Sequence, residues 1–401
     1  MPRAFGKYEL LKEIASGGMA AIYIAKQREE DGREKIVVIK MVRSNLQRNR
    51  EFIHMFLNEA RIASRLFHPN VVRMYDLGYS DGKYYIAMEY IHGSNLLTLH
   101  KVCHKLAQKM PLPHILNMIC QACEGLHYAH TKTDVMGHPL HIVHRDISPQ
   151  NIMVAFSGLV KIVDFGVARA ASRAGEIVKD VITGKLDYMS PEQAMGKNLD
   201  ARTDIFALGI VFWEMVSGRA LFGHHPTTQI LREIVEGTIA PPTQINGDVP
   251  LEIEAIILKA LAKRPEDRFK SAWEMREALI EAAAHKGMIS SIAELSQTVQ
   301  DLFVNRMDWV RKVEIAQKKG AVVSALFSDL KVEPFSGYLP EMSDWPTQEV
   351  AVFKQEASSP AVWPIEQRHP ILPAWKKWAW ISLATATVAA IALFCWWLFG
   401  R

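Results

Sequence analysis

The first hundred residues alternate between apolar and polar positions over several short stretches. YELLKEI (8–14) and AAIYIAKQ (20–27) flank a glycine turn, and KIVVIKMV (35–42) and YYIAMEYI (84–91) are rich in the β-branched and aromatic residues that favour strands. FIHMFLNEARIASRLF (52–67) instead spaces its apolar residues as a helix does. The pattern predicts a small lobe of strands built around one helix.

Residues 112–285 have mostly helical spacing, interrupted by two β-like runs, NIMVAF (151–156) and LVKIVDF (159–165). A larger helical lobe should therefore follow the small β-rich one, in an α+β fold. Two further segments come after it. We expect an amphipathic helical extension over 286–330 and a proline-containing, extended linker over 331–377.

The helical extension carries its apolar residues on one face: Ile292, Leu295, Val299, Leu302 and Phe303. We expect this stripe to pack on the preceding domain, with a partner-binding helix as the alternative.

The C-terminal stretch 378–399 contains 22 residues without a charge, bracketed by tryptophans. At about 1.5 Å per residue it spans about 33 Å, enough for a hydrocarbon core of about 30 Å. We predict one transmembrane helix, with a buried core helix as the alternative. Lys376 and Lys377 precede the span and place the large N-terminal part in the cytosol. The N-terminus has no apolar run of the kind found in secretory signals.

Charge and cysteine content exclude several classes of protein. The net charge of +4 is spread out, and no basic block indicates nucleic-acid binding. Four cysteines form no disulfide framework, which fits a reducing compartment. Cys120 and Cys123 form a C-x-x-C, but they lie in an apolar helical pattern without a second such pair. A structural role is favoured over a zinc or redox site.

Candidate phosphate-binding residues begin at the glycine turn. Gly17 and Gly18 allow backbone N–H groups to approach phosphate oxygens closely. Lys40 ends a predicted buried strand, where a cation needs an anionic partner, and Glu59 on the predicted helix is the candidate. Each signal alone is as compatible with a structural role as with a functional one.

A second set of residues has a more specific spacing. The tripeptide HRD (144–146) is followed by Asn151, and DFG (164–166) comes after it. An aspartate at 146 can orient an attacking hydroxyl, while Asn151 and Asp164 can hold Mg²⁺ on nucleotide phosphates. Together with the glycine turn and Lys40, this order of residues predicts phosphoryl transfer.

Over residues 8 to about 280 the sequence resembles the eukaryotic-type protein kinases. Further motifs carry the resemblance: HPN (68–70), SPE (190–192), DIFALG (204–209) and RPEDRF (264–269). It implies a bilobal protein-kinase domain over 8–285, with an N-lobe (8–92) and a C-lobe (93–285). ISPQN (147–151), the insertion TKTDVMGHPLH (131–141) and the C-terminal span are similar to bacterial, myxobacterial-style, membrane-anchored Ser/Thr kinases.

The resemblance implies roles for the candidate residues. Asp146 would orient the substrate hydroxyl, and Lys40 would hold the α- and β-phosphates of ATP and pair with Glu59. Asn151 and Asp164 would bind Mg²⁺, with Mn²⁺ as an alternative cation. Arg268 should pair with Glu192 in a buried, structural ion pair.

The resemblance also implies a nucleotide pocket. The glycine loop would comprise Ile14, Ala15, Ser16, Gly17, Gly18, Met19, Ala20, Ala21 and Ile22. Met88 would be the gatekeeper, and the backbone at Glu89 and Ile91 would receive adenine. Ile22, Val38 and Met153 would sandwich the adenine ring. Asn95 stands where relatives often place a ribose-binding acid.

Three departures from the family pattern involve four positions. Ala15 and Ala20 replace glycines of the loop, Ser148 replaces the usual lysine of the catalytic loop, and Lys185 replaces a threonine. We expect Lys185 to act as a catalytic residue that supplies the missing cation beside Asp146 and Ser148. The alternative is an exposed Lys185 that selects acidic substrates.

The expected function is transfer of the γ-phosphate of Mg-ATP to Ser or Thr of protein substrates, the chain itself included, at a bacterial inner membrane. A nucleotide-binding pseudokinase scaffold is the alternative, and Pro149 disfavours tyrosine specificity. The substrates, the activating signal and a homodimer stay open. Among the few hydroxyls of the activation segment are Ser172 and Thr183, and we expect Glu176 or Asp180 to replace part of a phosphate.

Overall fold

The computed structural model describes residues 2–29, 32–165, 186–222 and 226–304, and at Glu59 the backbone alone. The N-terminal lobe is an antiparallel sheet with strand order β1-β2-β3-β4-β6-β5. Its strands are β1 (Arg3–Phe5), β2 (Tyr8–Ser16), β3 (Ala20–Arg28), β4 (Glu34–Val42), β5 (Met74–Ser80) and β6 (Lys83–Glu89).

Helix α1 (Arg50–Ala63) crosses one face of this sheet. It begins at Asn49, whose side chain accepts a hydrogen bond from the N–H of Phe52 and so satisfies one free donor of the first turn. The apolar face of α1 buries Phe52, Phe56 and Ala60 against Ile86 of β6. The strands and the helix predicted from the periodicity are confirmed.

The larger lobe is helical. A second sheet, with strand order β7-β8-β9, lies where the two lobes join. The elements in chain order are β7 (Gly93–Asn95), α2 (Leu96–Lys105), α3 (Leu112–His130), β8 (Ile152–Ala155), β9 (Val160–Ile162), α4 (Pro191–Ala194), α5 (Arg202–Ser217), α6 (Thr227–Glu236), α7 (Leu251–Ala260), α8 (Ala272–His285) and α9 (Ile292–Leu302).

Helix α5 is the centre of this lobe. Every residue from Thr203 to Val216 is buried, so the helix is surrounded by protein on all sides. Helices α3 and α7 pack directly against it. The largest hydrophobic cluster runs through these helices and continues into the second sheet at Met153 and into the N-terminal sheet at Val38 of β4. The core of the larger lobe therefore continues across the junction between the lobes.

Both cysteines of the C-x-x-C lie in α3, as the helical pattern predicts. Cys123 is fully buried, and burial raises the pKa of its thiol and of that of Cys120. These thiols are held in the neutral form, which suits packing rather than nucleophilic or metal chemistry. Among the described residues no group of three or more His, Cys, Asp or Glu side chains could hold a metal ion.

Within the predicted extension over 286–330, helix α9 packs on α3, and residues 305–330 lie outside the described residues. Leu295, Val299 and Phe303 of the predicted stripe are buried, whereas Ile292 at the first turn is 49% exposed. The predicted linker and the predicted span at 378–399 lie outside the described residues. Among the residues that are described, no helix is both long and apolar enough to cross a membrane.

Candidate active site

The connection between the lobes forms one wall of the cleft. Met88 lies near the end of β6, opposite Val38 of β4, and the N–H of Glu89 donates to the carbonyl of Arg73. Ile91 is buried in the core. Gly93 then brings β7 so close to β8 that a Cβ there would lie 2.0 Å from the carbonyl oxygen of Val154. Glycine is required at this approach.

Met153 of β8 forms the opposite wall and pairs with Asn95. Val38 and Met153 belong to the same hydrophobic cluster, and Ile22 packs against it, so all three predicted adenine-contacting residues belong to or border the one core that joins the lobes. The Oδ1 atom of Asn95 accepts a hydrogen bond from the N–H of Thr98 at 2.8 Å. This asparagine therefore caps α2, a role that the sequence comparison with ribose-binding acids did not suggest.

The glycine loop is the turn between β2 and β3. The N–H of Gly17 donates to the carbonyl of Ala20 at 3.0 Å, which closes the turn. The N–H of Arg43 donates to the carbonyl of Met19, and the Arg43 guanidinium donates to the hydroxyl of Ser16. The loop is thus tied to the end of β4, so it retains a defined shape although alanines replace two of the expected glycines.

Lys40 and Asp164 form an ion pair inside the cleft. Lys40 lies on the interior strand β4, opposite Ile22 of β3 on one side and Ile86 of β6 on the other. Its Nζ is 2.8 Å from Oδ1 of Asp164. Asp164 adopts a positive φ of 59°, which is uncommon outside glycine and turns its carboxylate toward the lysine. Glu59 lies on α1, with only its backbone described.

Phe165 follows Asp164 and is buried. Its ring centroid lies 4.7 Å from that of His144. Phe165 also lines a small cavity together with Ala60 of α1 and with Met88. Phe165 is therefore packed between α1 and the catalytic loop, which holds the adjacent Asp164 in the cleft.

A buried carboxylate on α5 positions the catalytic loop. Asp204 accepts hydrogen bonds from the N–H groups of His144 and Arg145, both at 2.7 Å, and contacts Nε2 of His130 at 2.7 Å. Burial alone would raise the pKa of Asp204, but these donors hold it below its usual value. Arg145 has a φ of 67°, a conformation that this pair of backbone bonds stabilises.

The side chains of Asp146 and Asn151 lie side by side. The Asn151 amide donates to the Asp146 carbonyl at 2.7 Å and to its Oδ2 at 3.0 Å. In turn the N–H of Asn151 donates to the carbonyl of Ser148, and its own carbonyl accepts from Val163 next to Asp164. The loop thus brings the predicted base, Asp146, and both predicted metal-binding residues to one end of the cleft.

The donor set suits a magnesium nucleotide. Because the Asn151 amide nitrogen is engaged by Asp146, its oxygen is the atom left to face a cation. With the carboxylate of Asp164 it offers hard oxygen ligands from two side chains, and Mg²⁺ commonly takes its remaining ligands from phosphates and water. The residues present fit the cation that the sequence resemblance implies.

Ser148 occupies the position of the usual catalytic-loop lysine. It is 2% exposed, and its hydroxyl has no hydrogen-bond partner among the residues that the structure describes. Lys185, the predicted compensating cation, lies outside the described residues, as do Ser172, Glu176, Asp180 and Thr183.

The predicted ion pair behind the active site is confirmed. Arg268 donates to both carboxylate oxygens of Glu192 at 2.7 Å, and the Thr203 hydroxyl donates to the same carboxylate. The remaining Arg268 donors reach backbone carbonyls. A buried pair with all its donors satisfied fixes the segment that begins α4.

Comparison with known proteins decides the family. A model of the protein kinase domain matches residues 8–280. The chain belongs to the protein kinase family. Asp146, Asn151, Asp164 and Lys40 all lie within the matched residues, whereas α9 lies beyond them.

Several bacterial kinases are similar in sequence. "Tyrosine-protein kinase MasK" of Myxococcus xanthus is 42% identical over 275 residues, which are 69% of this chain and 43% of MasK. "Serine/threonine-protein kinase PrkC" of Bacillus subtilis is 37% identical over 273 residues, 68% of this chain and 40% of PrkC. The match thus spans about two fifths of the length of these curated relatives. The PknI kinase domain of Mycobacterium tuberculosis shares the fold, with a TM-score of 0.55 over 70% of this chain and 98% of that chain at 24% identity.

Two positioning residues were missed by sequence reasoning. His130 ends α3 and contacts Asp204, and Phe156 follows β8 and receives hydrogen bonds from α9. The histidine could have been found from its place shortly before the HRD motif. Phe156 carried no signal, because its backbone rather than its side chain makes these bonds.

Proposed function

We propose that this kinase transfers the γ-phosphate of Mg-ATP to Ser or Thr hydroxyls of proteins, including its own, at a bacterial membrane. One observation carries the proposal: the catalytic loop and the DFG segment bring Asp146, Asn151 and the Lys40–Asp164 pair to one end of the cleft. Phosphoryl transfer requires little covalent chemistry from a protein, and positioning with charge stabilisation accounts for most of the catalysis.

Each side chain has a role that its contacts support. The Asn151 amide orients the Asp146 carboxylate, which accepts a hydrogen bond from the attacking hydroxyl and later its proton. Lys40 neutralises charge on the α- and β-phosphates, and Asp164 keeps its ammonium in the cleft. Mg²⁺, held by Asn151 and Asp164, would supply further positive charge at the phosphates. Val38, Ile22 and Met153 enclose the apolar adenine.

Tyrosine is the second candidate acceptor. MasK, at 42% identity, is named a tyrosine-protein kinase, and Ser148 lacks the ammonium that Ser/Thr kinases carry at this position. PrkC is named a Ser/Thr kinase, and Pro149 also follows the Ser/Thr pattern. The acceptor must therefore be measured.

The test is radiolabelled phosphate transfer by the full chain with Mg-ATP and a generic protein substrate, followed by phosphoamino acid analysis. Lys40→Met and Asp146→Asn should reduce transfer by about two orders of magnitude or more. Asp81→Asn is the matched control, since Asp81 is exposed, lies at a turn with a φ of 49°, and asparagine tolerates that conformation.

Phosphoserine or phosphothreonine supports the proposal, and phosphotyrosine alone favours the second candidate. Nucleotide binding without any transfer indicates a pseudokinase scaffold. Transfer at the wild-type rate by Lys40→Met or Asp146→Asn contradicts the assigned roles.

A further inference from the structure

Helix α9 lies beyond the residues that the kinase family model matches, yet it bonds to Phe156, which directly follows the strand that carries Met153. It lies against α3 and the turn between β8 and β9. At Gly158 of that turn, a Cβ would lie 2.3 Å from the carbonyl of Ile292. The positive φ of 82° at Gly158 and this close approach both require glycine. The turn is thus shaped to accept α9.

Phe156 connects α9 to the connection between the lobes, residues 89–93, which we call the hinge. Its carbonyl accepts two hydrogen bonds from α9, from Ser296 Oγ at 2.6 Å and from Gln300 Nε2 at 2.9 Å. Its N–H donates to the carbonyl of His92 at 2.6 Å. Its ring packs edge-on against Phe303 at a centroid distance of 5.9 Å. One peptide segment is thereby held by α9 on one side and by the hinge on the other.

Phe156 directly follows β8, the strand that carries the floor of the predicted adenine pocket. Met153 lies on this strand opposite Asn95, and Ala155 lies opposite Gly93 of the hinge. A shift of Phe156 would therefore move both the hinge backbone and Met153. Packed strands of this kind transmit small displacements, because the interior has little free volume.

A second set of bonds docks α9 without involving Phe156. His114 of α3 contacts the hydroxyls of Ser290 at 2.6 Å and Thr298 at 2.9 Å, one through each ring nitrogen. The Asn117 amide donates to the carbonyl of Ser290. This cluster holds α9 to α3. A variant in it can therefore show what weaker docking of α9 does when the bonds to Phe156 are retained.

We propose that Ser296 and Gln300 of α9 are positioning residues for the nucleotide, acting through the Phe156 carbonyl on the hinge and on Met153. This inference rests on the proposed binding of a nucleotide in the cleft. It adds α9 to the part of the chain that sets nucleotide affinity.

The test compares three variants in the full chain of 401 residues. Ser296→Ala/Gln300→Ala removes both donors to Phe156. Thr298→Ala removes a docking bond to His114, and Gln297→Ala makes a matched change on the exposed face, where the Gln297 amide donates to Asp301. MgADP affinity is measured by calorimetry, thermal melting is measured separately, and kcat and KM for ATP are measured with a protein substrate.

The double variant should bind MgADP about fivefold more weakly, as expected for the loss of two partly buried hydrogen bonds, with KM for ATP raised and kcat retained. Thr298→Ala should lower the melting temperature but leave the MgADP Kd within about twofold of wild type. Gln297→Ala should change neither. If the double variant fails to fold, Gln300→Ala alone serves, with a smaller shift in the same direction.

Equal MgADP affinities in the double variant and wild type overturn the proposal, and so does an equal loss of affinity in Thr298→Ala. Failure of the proposed function has a different signature, since the wild-type chain would then transfer no phosphate to protein, whether or not it binds MgADP.

Discussion

Ser148 is a buried hydroxyl placed beside the catalytic aspartate. The sequence shows that a lysine is missing there, and the structure adds that the side chain points into the protein, without a hydrogen-bond partner among the described residues. A buried hydroxyl that makes no hydrogen bond is destabilising. Lys185, which directly precedes Leu186 and lies outside the described residues, is the hydrogen-bond partner that we predict for the Ser148 hydroxyl.

The exchange of residue types at 148 and 185 predicts a specific pattern of rescue. Lys185→Thr alone should lower turnover by about a hundredfold, because transition-state charge then lacks a nearby cation. Adding Ser148→Lys should restore much of it, since the ammonium returns to the loop beside Asp146. Initial rates of peptide phosphorylation at saturating ATP measure both effects.

Lys197→Thr is the control for removing a lysine, because this residue lies past α4 on the exposed surface. Unchanged turnover in Lys185→Thr would contradict the exchange and favour an exposed Lys185 that selects acidic substrates.

Glu214 is a buried acid beneath the end of the activation segment. Its carboxylate accepts from the Tyr188 hydroxyl at 2.7 Å and from the N–H of Leu221 at 3.1 Å. Burial raises the pKa of Glu214 to about 7, and these hydrogen bonds only partly oppose that rise. Asp187 adds nearby negative charge in the same direction.

The raised pKa of Glu214 predicts a pH-dependent stability. The protonated form is favoured in the folded state, so the contribution of Glu214 is complete below pH 4.5 and is lost as the pH rises to about 7. Glu214→Gln should abolish this loss, on the order of 3 kcal/mol. The measurement is denaturant unfolding of variant and wild type between pH 4.5 and 8.

The quantity to compare is the difference in unfolding free energy between Glu214→Gln and wild type at each pH. Carboxylates with a lowered pKa, such as Glu192, titrate in both proteins and cancel in this difference. Glu281→Gln, at an exposed position of α8, should follow the wild-type profile. Parallel profiles for Glu214→Gln and wild type would contradict the prediction.

At the scale of elements, the catalytic loop depends on α5. Asp204, in the first turn of this buried helix, accepts from two successive backbone N–H groups of the HRD segment and contacts His130 at the end of α3. One carboxylate thus joins α3, α5 and the loop. The loop owes its shape less to its own sequence than to this shared acceptor.

Asp204→Asn should therefore destabilise the domain by about 3 kcal/mol, because an amide NH₂ would face hydrogen-bond donors. It should also lower kcat more than KM for ATP, since the loop carries Asp146 while the adenine pocket lies on β8 and the hinge. Asp248→Asn, at a side chain that is 88% exposed, is the matched control. Equal unfolding free energies for the two variants would contradict this account.

The elements with a strong period could be predicted from the sequence, and those shaped by tertiary contacts could not. Strands β2, β3, β4 and β6 and helix α1 follow the apolar pattern closely. Strand β5 was missed because MYDLGYS has no fully buried residue, does not alternate between buried and exposed positions, and contains a glycine. The cap role of Asn95 was missed because the same side chain suits a ribose contact.

The features of the candidate site can likewise be divided into those that the sequence predicted and those that it did not. The identities and spacing of Asp146, Asn151 and Asp164 predicted their convergence. The ion pair between Lys40 and Asp164, and the bonds from α9 to the Phe156 carbonyl, depend on backbone placement. Backbone groups are present at every residue, so no residue type marks them in the sequence.

At the scale of the whole molecule, a long stretch of chain follows the kinase domain. The match ends at residue 280, α9 ends at Leu302, and the chain continues to residue 401. We propose that the uncharged stretch 378–399 is a membrane anchor for the kinase. Its length and its bracketing tryptophans support this proposal.

The anchor predicts how the chain partitions. Expressed in bacteria, the full chain should stay in the membrane pellet after alkaline carbonate extraction, and deletion of 376–401 should release it to the supernatant. Ala389→Arg, near the middle of the stretch, should weaken insertion because an arginine at the bilayer centre costs about 2.5–3.5 kcal/mol. Ala389→Leu, a matched change without charge, should stay in the pellet. A deleted chain that remains resistant to carbonate would show that another part of the protein holds it at the membrane.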